Sequence, residues 1–251
     1  MAVDAIVLAG APADPDMRPA AGSSSRAMVE IGPKTMLQWV VDALEDAESV
    51  GRIIAVGEVA ADGLDEVVPP AGHFLENMVH GLDACGTDGP VLILSSDIPL
   101  VTGDAVDDFV ERALASGGEM CYPIIPKDAC LAKYPQMKRT YLKTKEGTFT
   151  GGNMVLLSPA FLQRNEREIA RAYAARKKPF ALARTIGLGI LLRALLAQLL
   201  FPALLPIPML ERALSEMLGG RVVAIITSYV EIGEDVDKVA DLEAVRAILA
   251  A

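Results

Sequence analysis

The chain has 251 residues, of which 52% are apolar and 22% charged, with a formal net charge of −10. That apolar content excludes an intrinsically disordered protein, and the acidic balance argues against nucleic acid as a partner. Cys85, Cys121 and Cys130 are odd in number and widely spaced, with no CxxC. They read as free or buried thiols of a reducing cytosol, neither a disulfide framework nor a metal site.

The N-terminal "MAVDAIVLAG" has no basic n-region and no long apolar core, so a cytoplasmic protein without a signal peptide is expected. Within it "DAIVLA" (4–9) predicts a first strand that ends at Gly10. About twenty residues of mostly Ala, Pro, Gly, Ser and Asp follow before a helical pattern at 34–47, and a connection that long is usually functional or disordered. Gly10 lets backbone N–H groups approach an anion, and Arg18, Arg26 and Lys34 add positive charge. A surface loop with incidental cations fits these residues as well.

A second strand is predicted at "RIIAVG" (52–57), then a helix at "FLENMVHGLDAC" (74–85). "PVLILSS" (90–96) predicts a third strand, buried on both faces, and Asp97 follows it directly in "SSDIPLVTGDAVDDF". An Asp at a strand end suits a hard cation such as Mg2+, which takes one or two carboxylates plus phosphate oxygens. Pro99 stiffens the turn and Thr102 is placed to cap a helix over 103–116. As an alternative, Asp97 is itself a turn or capping residue.

Further strands are predicted at 119–125, 153–157 and 221–227. Before the second of these, "MKRTYLKTKEGTFTGGNMVLL" offers Lys138 and Arg139 to clamp a phosphate, or else a hairpin turn with exposed cations. Paired Gly151 and Gly152 let a ligand lie close to backbone. In "YVEIGEDVDKVADLEAV", Asp235 and Asp237 point the same way if the segment is extended, although Asp237 also fits as the N-cap of a last helix over 237–250. Strand and helix alternate, which implies an α/β domain with a mostly parallel sheet covered on both sides. In such sheets ligands sit beyond the carboxyl ends of the strands. One domain, 1–251, is expected, with a mainly helical insertion at about 158–219.

Taken together, "VLAG", "RAMVEIGPKTMLQ", "SDIPLV" and "DVDKVADL", in this order, resemble the MobA-like nucleotidyltransferases, relatives of the sugar-phosphate nucleotidylyltransferases. The resemblance covers about 3–157 and 221–250. It implies a Rossmann-like, GT-A type three-layer sandwich and transfer of an NMP group from an NTP to a phosphorylated acceptor, a sugar phosphate or head-group phosphate. It implies that Leu8, Ala9, Gly10, Ala11 and Lys34 cradle the NTP, that Glu76 and Asn77 read base or ribose, and that Gly152 and Asn153 contact the acceptor. Asp97 and Asp237 become the Mg2+ ligands, with Asp235 the second choice. Arg18 and Arg26 fall where the family's loop arginine and following lysine lie. The chain departs from the family in reading "LAGA" for "LAGG" and in carrying Arg26 for a lysine. His73 and His80, the only histidines, stand beside no nucleophile.

One stretch stands outside this resemblance. Residues 164–193 carry eight basic and two acidic side chains, and no charge occurs between Arg193 and Glu211. Three prolines, at 202, 206 and 208, argue against a spanning helix. Two uses fit: helices buried on the sheet or in a homodimer interface, or an interfacial anchor in which Arg176, Lys177, Lys178 and Arg184 meet anionic lipid at the inner face of the membrane. Two rival functions also stand. A GT-A glycosyltransferase would usually show D-x-D directly after a strand, where Asp97 stands alone. A non-catalytic nucleotide-binding protein would fit Ala11 and Arg26.

Overall fold

The structure is a computed structural model describing residues 2–17, 23–175 and 188–250. β1 (Val3–Leu8) is central to the sheet, and Ala5, Ile6 and Val7 are fully buried, as expected of a strand with helices on both faces. It pairs in parallel with β4 (Val50–Val56) on one side and β6 (Val91–Ser95) on the other. β5 (Glu66–Val68) lies parallel beyond β4. Beyond β6 come β10 (Met154–Leu157), antiparallel to it, and β7 (Met120–Pro126), antiparallel to β10 and parallel to β11 (Val222–Ile226).

Six of these strands therefore run one way, and β10 is the reversed line between them. β9 (Thr148–Gly151) continues that line along β7 and forms a hairpin with β8 (Leu142–Lys143). The break between β9 and β10 falls at Gly152 and Asn153, beside the carboxyl end of β6. The sheet is thus mixed, with a parallel core.

The pleat divides the core into two layers. Ala5 and Val7 face α1 (Met36–Glu45) and α3 (Gly103–Ser116), packing with Leu37, Val40 and Phe109. Ile6, Ile54 and Ile93 face α2 (Phe74–Cys85), α5 (Pro159–Ala175) and α7 (Ile207–Leu218), packing with Met78, Leu82, Phe161 and Leu218. A third cluster joins Leu242 and Val245 of α8 (Val239–Leu249) to Met17, Ile31 and Met36, pinning the last helix to the first loop.

The helix expected from residue 34 begins at Met36. Lys34 and Thr35 form β3, paired with β2 (Glu30–Ile31), and Thr35 caps α1 by accepting the Gln38 N–H at 3.2 Å. β5, β8, β9 and α4 (Lys127–Lys133) escaped the sequence reading because each is too short to show periodicity. The region 158–219 is helical where described: α5, α6 (Leu188–Leu199) and α7. Among the described residues no helix is long and apolar enough to cross a membrane. Arg176, Lys177, Lys178 and Arg184 lie outside the described residues. Cys85, Cys121 and Cys130 are free and buried.

Candidate active site

From β1 the chain runs to β4 on one side and later to β6 on the other, so the crevice beyond the ends of β1 and β6 is a topological switch point. The loop after β1 leaves there and folds back on itself. Ala13 N–H donates to Ser24 O and Arg26 N–H to Ala11 O, both at 2.9 Å, while Ser25 Oγ donates to Ala9 O at 2.6 Å. This return brings Arg26 to the strand end. Arg18 lies outside the described residues.

Asp97 leaves the end of β6 as the sequence predicts, and Thr102 caps α3 by accepting the Ala105 N–H at 3.3 Å. A distant segment is stitched to this spot by backbone alone. Val236 N–H donates to Asp97 O at 2.9 Å, Asn153 N–H to Ile232 O at 2.9 Å, and Ser95 N–H to Asn153 O at 3.1 Å. In the stitched segment Glu234 and Val236 are fully buried while Asp235 and Asp237 lie on the more open side, as period-two alternation requires. Asp237 does not cap α8. Asp241 does so, its Oδ2 accepting the Asp237 and Lys238 N–H groups at 3.2 Å.

The outcome is a convergence on one nitrogen. Arg26 Nη1 donates to Asp97 Oδ2 at 3.1 Å and to Asp237 Oδ1 at 2.5 Å. The two carboxylate oxygens are therefore no further apart than those two distances together. Burial pushes the Asp97 carboxyl above its usual range, and the Asp235 and Asp237 charges push the same way. The Ser95 side chain nearby and the Arg26 charge oppose them. An under-compensated carboxylate of this kind welcomes further positive charge.

Among the described residues no three His, Cys, Asp or Glu side chains gather to enclose a metal by themselves. Two carboxylates plus the phosphate oxygens of a substrate are nevertheless a usual set for Mg2+, so the pair fits a cation that arrives with a nucleotide.

Beside Asp237 lies a polar cavity of about 340 Å3, whose lining includes Lys138, Arg139, Asn153, Glu234, Asp235 and Asp237. Arg139 is largely buried and ion-paired with Asp235, much as Asp237 is ion-paired with Arg26. Asn153 Nδ2 donates to Gly233 O at 3.3 Å. The paired glycines serve an unforeseen end. A Cβ at Gly151 would collide with the Tyr122 ring, and one at Gly152 would lie 2.7 Å from Ile232 and 2.9 Å from Pro123. The space they open is filled in part from within, while both glycines line the polar cavity beside Asn153.

Glu234 was missed by sequence reasoning. Both its carboxylate oxygens are buried without a hydrogen-bond partner, and its pKa is pushed up to about 7 by burial, aided by Asp235 and Asp241 against Arg139. The signal was present: the alternation that turns Asp235 and Asp237 outward turns Glu234 in.

At the first loop, a Cβ at Gly10 would lie 3.4 Å from Asn77 Nδ2, so Asn77 faces that loop. Its Oδ1 accepts the Ala71 N–H at 2.7 Å. Glu76 is occupied at the start of α2, accepting the His73 N–H at 2.8 Å. Lys34 is ion-paired with Asp42 and lies 4.9 Å from the centroid of the Trp39 ring. His80 is likewise in local use, its Nδ1 2.9 Å from Pro69 O.

Residues 5–198 match the sequence pattern of the MobA-like NTP transferase domain. No curated protein matches the chain. Among solved structures, a hypothetical transferase from Thermus thermophilus is 36% identical with a TM-score of 0.84, the match covering 96% of this chain and 100% of that one. A CMP:2-keto-3-deoxy-manno-octonic acid synthetase complexed with CTP is 14% identical with a TM-score of 0.57, over 99% of this chain and 98% of that one. A 2-C-methyl-D-erythritol 4-phosphate cytidylyltransferase, also from Thermus thermophilus, is 15% identical with a TM-score of 0.57, over the full length of both chains. At those identities the last two share the fold.

Proposed function

We propose, since the chain belongs to the MobA-like NTP transferase family, that it moves a nucleoside monophosphate group from an NTP to a phosphorylated acceptor and releases pyrophosphate. The observation that carries this reading is the convergence of Asp97 and Asp237 on Arg26 at the switch point of the sheet, between the first loop and the polar cavity. Of the two structures that share the fold, one is a synthetase complexed with CTP and the other a cytidylyltransferase, which makes CTP the first nucleotide to try. The acceptor would be a sugar phosphate or a head-group phosphate.

In this reaction an oxygen of the acceptor phosphate attacks the α-phosphorus in line. The new P–O bond forms as the bond from the α-phosphorus to the bridging oxygen breaks, and pyrophosphate leaves with that electron pair. Positioning and charge neutralisation do the catalysis, and no covalent protein intermediate is required. The backbone from Leu8 to Ala11 lies against the triphosphate. Arg26 turns from the carboxylates to the phosphates, and its fork suits a bidentate grip. Lys138 and Arg139 hold the acceptor phosphate and Asn153 orients it. Asp97 and Asp237 would hold Mg2+, which when bound neutralises charge on the NTP phosphates.

Pyrophosphate release tests the reading, using CTP, GTP, ATP and UTP against sugar and alcohol phosphates, with Mg2+ and with EDTA. Release with at least one pair, lost in EDTA, is the expected result. Silence across the whole panel overturns the transfer reading, and EDTA-resistant release overturns the metal assignment.

A further inference from the structure

The polar cavity has an apolar neighbour. A second cavity of about 300 Å3 lies between α7 and the strands β7, β9 and β11, walled by Leu142, Phe149, Ile207, Leu210 and Leu214. Its volume is at the lower end of ligand pockets. Tyr122, Thr150 and Gly151 line both cavities.

Tyr122 is the shared wall. Alternation along β7 sends Cys121 into the core under α3 and Tyr122 to the opposite face, over which α7 lies. The absent side chain of Gly151 lets its ring lie across β9. Burial pushes the phenol pKa up, and the charges it feels beyond that are those of Arg139 and Asp235, which belong to the polar cavity. Ring and hydroxyl thus serve two different environments.

Apolar surface continues outward from this second cavity. Leu142, one of its walls, is exposed, and next to β8 runs α6. Gln198 fastens α6 there, its side-chain amide accepting the Lys143 N–H at 2.9 Å and donating to Lys143 O at 3.0 Å. Leu192, Leu195 and Leu199, at helical spacing on α6, face solvent.

We propose that the acceptor is amphiphilic: a phosphate monoester whose charged end binds at Lys138, Arg139 and Asn153 while its hydrocarbon group enters the cavity beyond Tyr122. The assignment of the charged end rests on the acceptor reading above. What adds the hydrocarbon is that Tyr122, Thr150 and Gly151 wall both spaces, so the two adjoin within reach of a single molecule. The acceptor comes either free in solution or from a lipid surface, and the chemistry recognised is the same.

Calorimetric titration of the full-length protein with methyl, butyl, hexyl and octyl phosphate tests this, with binding of the four NTPs measured in parallel. Affinity should rise about two- to fourfold per added methylene until the cavity is full. Leu214→Trp, which fills the space, should bring the octyl-to-methyl ratio toward one. A flat series in the unaltered protein overturns the proposal without recourse to any variant. Vesicles of phosphatidic acid separate the sources: a climbing series with vesicle binding assigns a lipid-borne acceptor, and one without it a soluble amphiphile. Vesicle binding with a flat series removes the cavity from the account. If no NTP binds while the series climbs, nucleotidyl transfer falls and the amphiphile site stands. If an NTP binds and the series is flat, the reverse holds.

Discussion

The strand-end cluster and the helical stretch from 188 to 218 handle leftover interactions in opposite ways. At the cluster, Arg26, Asp97 and Asp237 arrive from three distant parts of the chain and neutralise one another in part, with burial still holding the Asp97 carboxyl up. In the helical stretch few charges are involved: Gln198 ties it to Lys143, and Glu146 accepts the Ile207 N–H. α7 buries Ile207, Ala213 and Leu218, whereas α6 leaves Leu192, Leu195 and Leu199 in solvent. The first region holds a carboxyl whose burial is only partly compensated. The second leaves apolar side chains in solvent, and the contrast is between charge gathered from afar and apolar surface left over.

The sharpest way to break this contrast is Asp97→Ala. Turnover should fall about 10²–10³-fold, while the thermal midpoint holds or rises because an unfavourably buried carboxylate has gone. Pyrophosphate release and a thermal melt together decide it, and near-normal turnover would remove the cluster from the chemistry.

Next in size is Leu218→Ala on the buried side of α7, expected to cost about 2–5 kcal/mol in urea unfolding. A change under about 1 kcal/mol would mean α7 is not part of the core.

Glu234→Gln should act through pH. The folded carboxyl titrates at about 7 against an ordinary value of 4.5, so its contribution is fully present below pH 4.5 and lost as pH rises through 7. Relative to wild type the variant should therefore gain stability on going from pH 4.5 to pH 8, by about 2 kcal/mol. Parallel stability curves for the two proteins would contradict the buried, unpartnered placement.

The smallest effect is expected for Leu199→Ser on α6. With Leu199 68% exposed against 5% for Leu218, unfolding free energy should move by less than about 0.5 kcal/mol. A loss as large as that of Leu218→Ala would show α6 buried in an assembly.

Much of this was legible in one dimension. The aliphatic runs at 4–9, 52–57 and 90–96 match β1, β4 and β6 within two residues, and α2 and α3 fall where their periodicity puts them. Such segments are long enough for the hydrophobic pattern to outweigh propensity noise. The placement of Asp97 followed from the strand before it. Lys34, Glu76 and Arg139 were harder, since a charged residue's type says nothing of which neighbour it will meet. Asp42, His73 and Asp235 hold them. Glu234 was concealed by its own chemistry, because a carboxylate is ordinarily read as surface.

By itself the sequence determined the α/β alternation, the family and the strand ends at which charge emerges, because these depend on patterns a few residues long. Only the tertiary structure decided that Asp97 and Asp237 would share Arg26, that Asp241 rather than Asp237 would cap α8, and that Tyr122 would wall two cavities of opposite character. Those outcomes depend on backbone bonds between distant segments, Val236 to Asp97 and Asn153 to Ile232. A hydrogen bond across the chain leaves no periodic trace in the order of its residues.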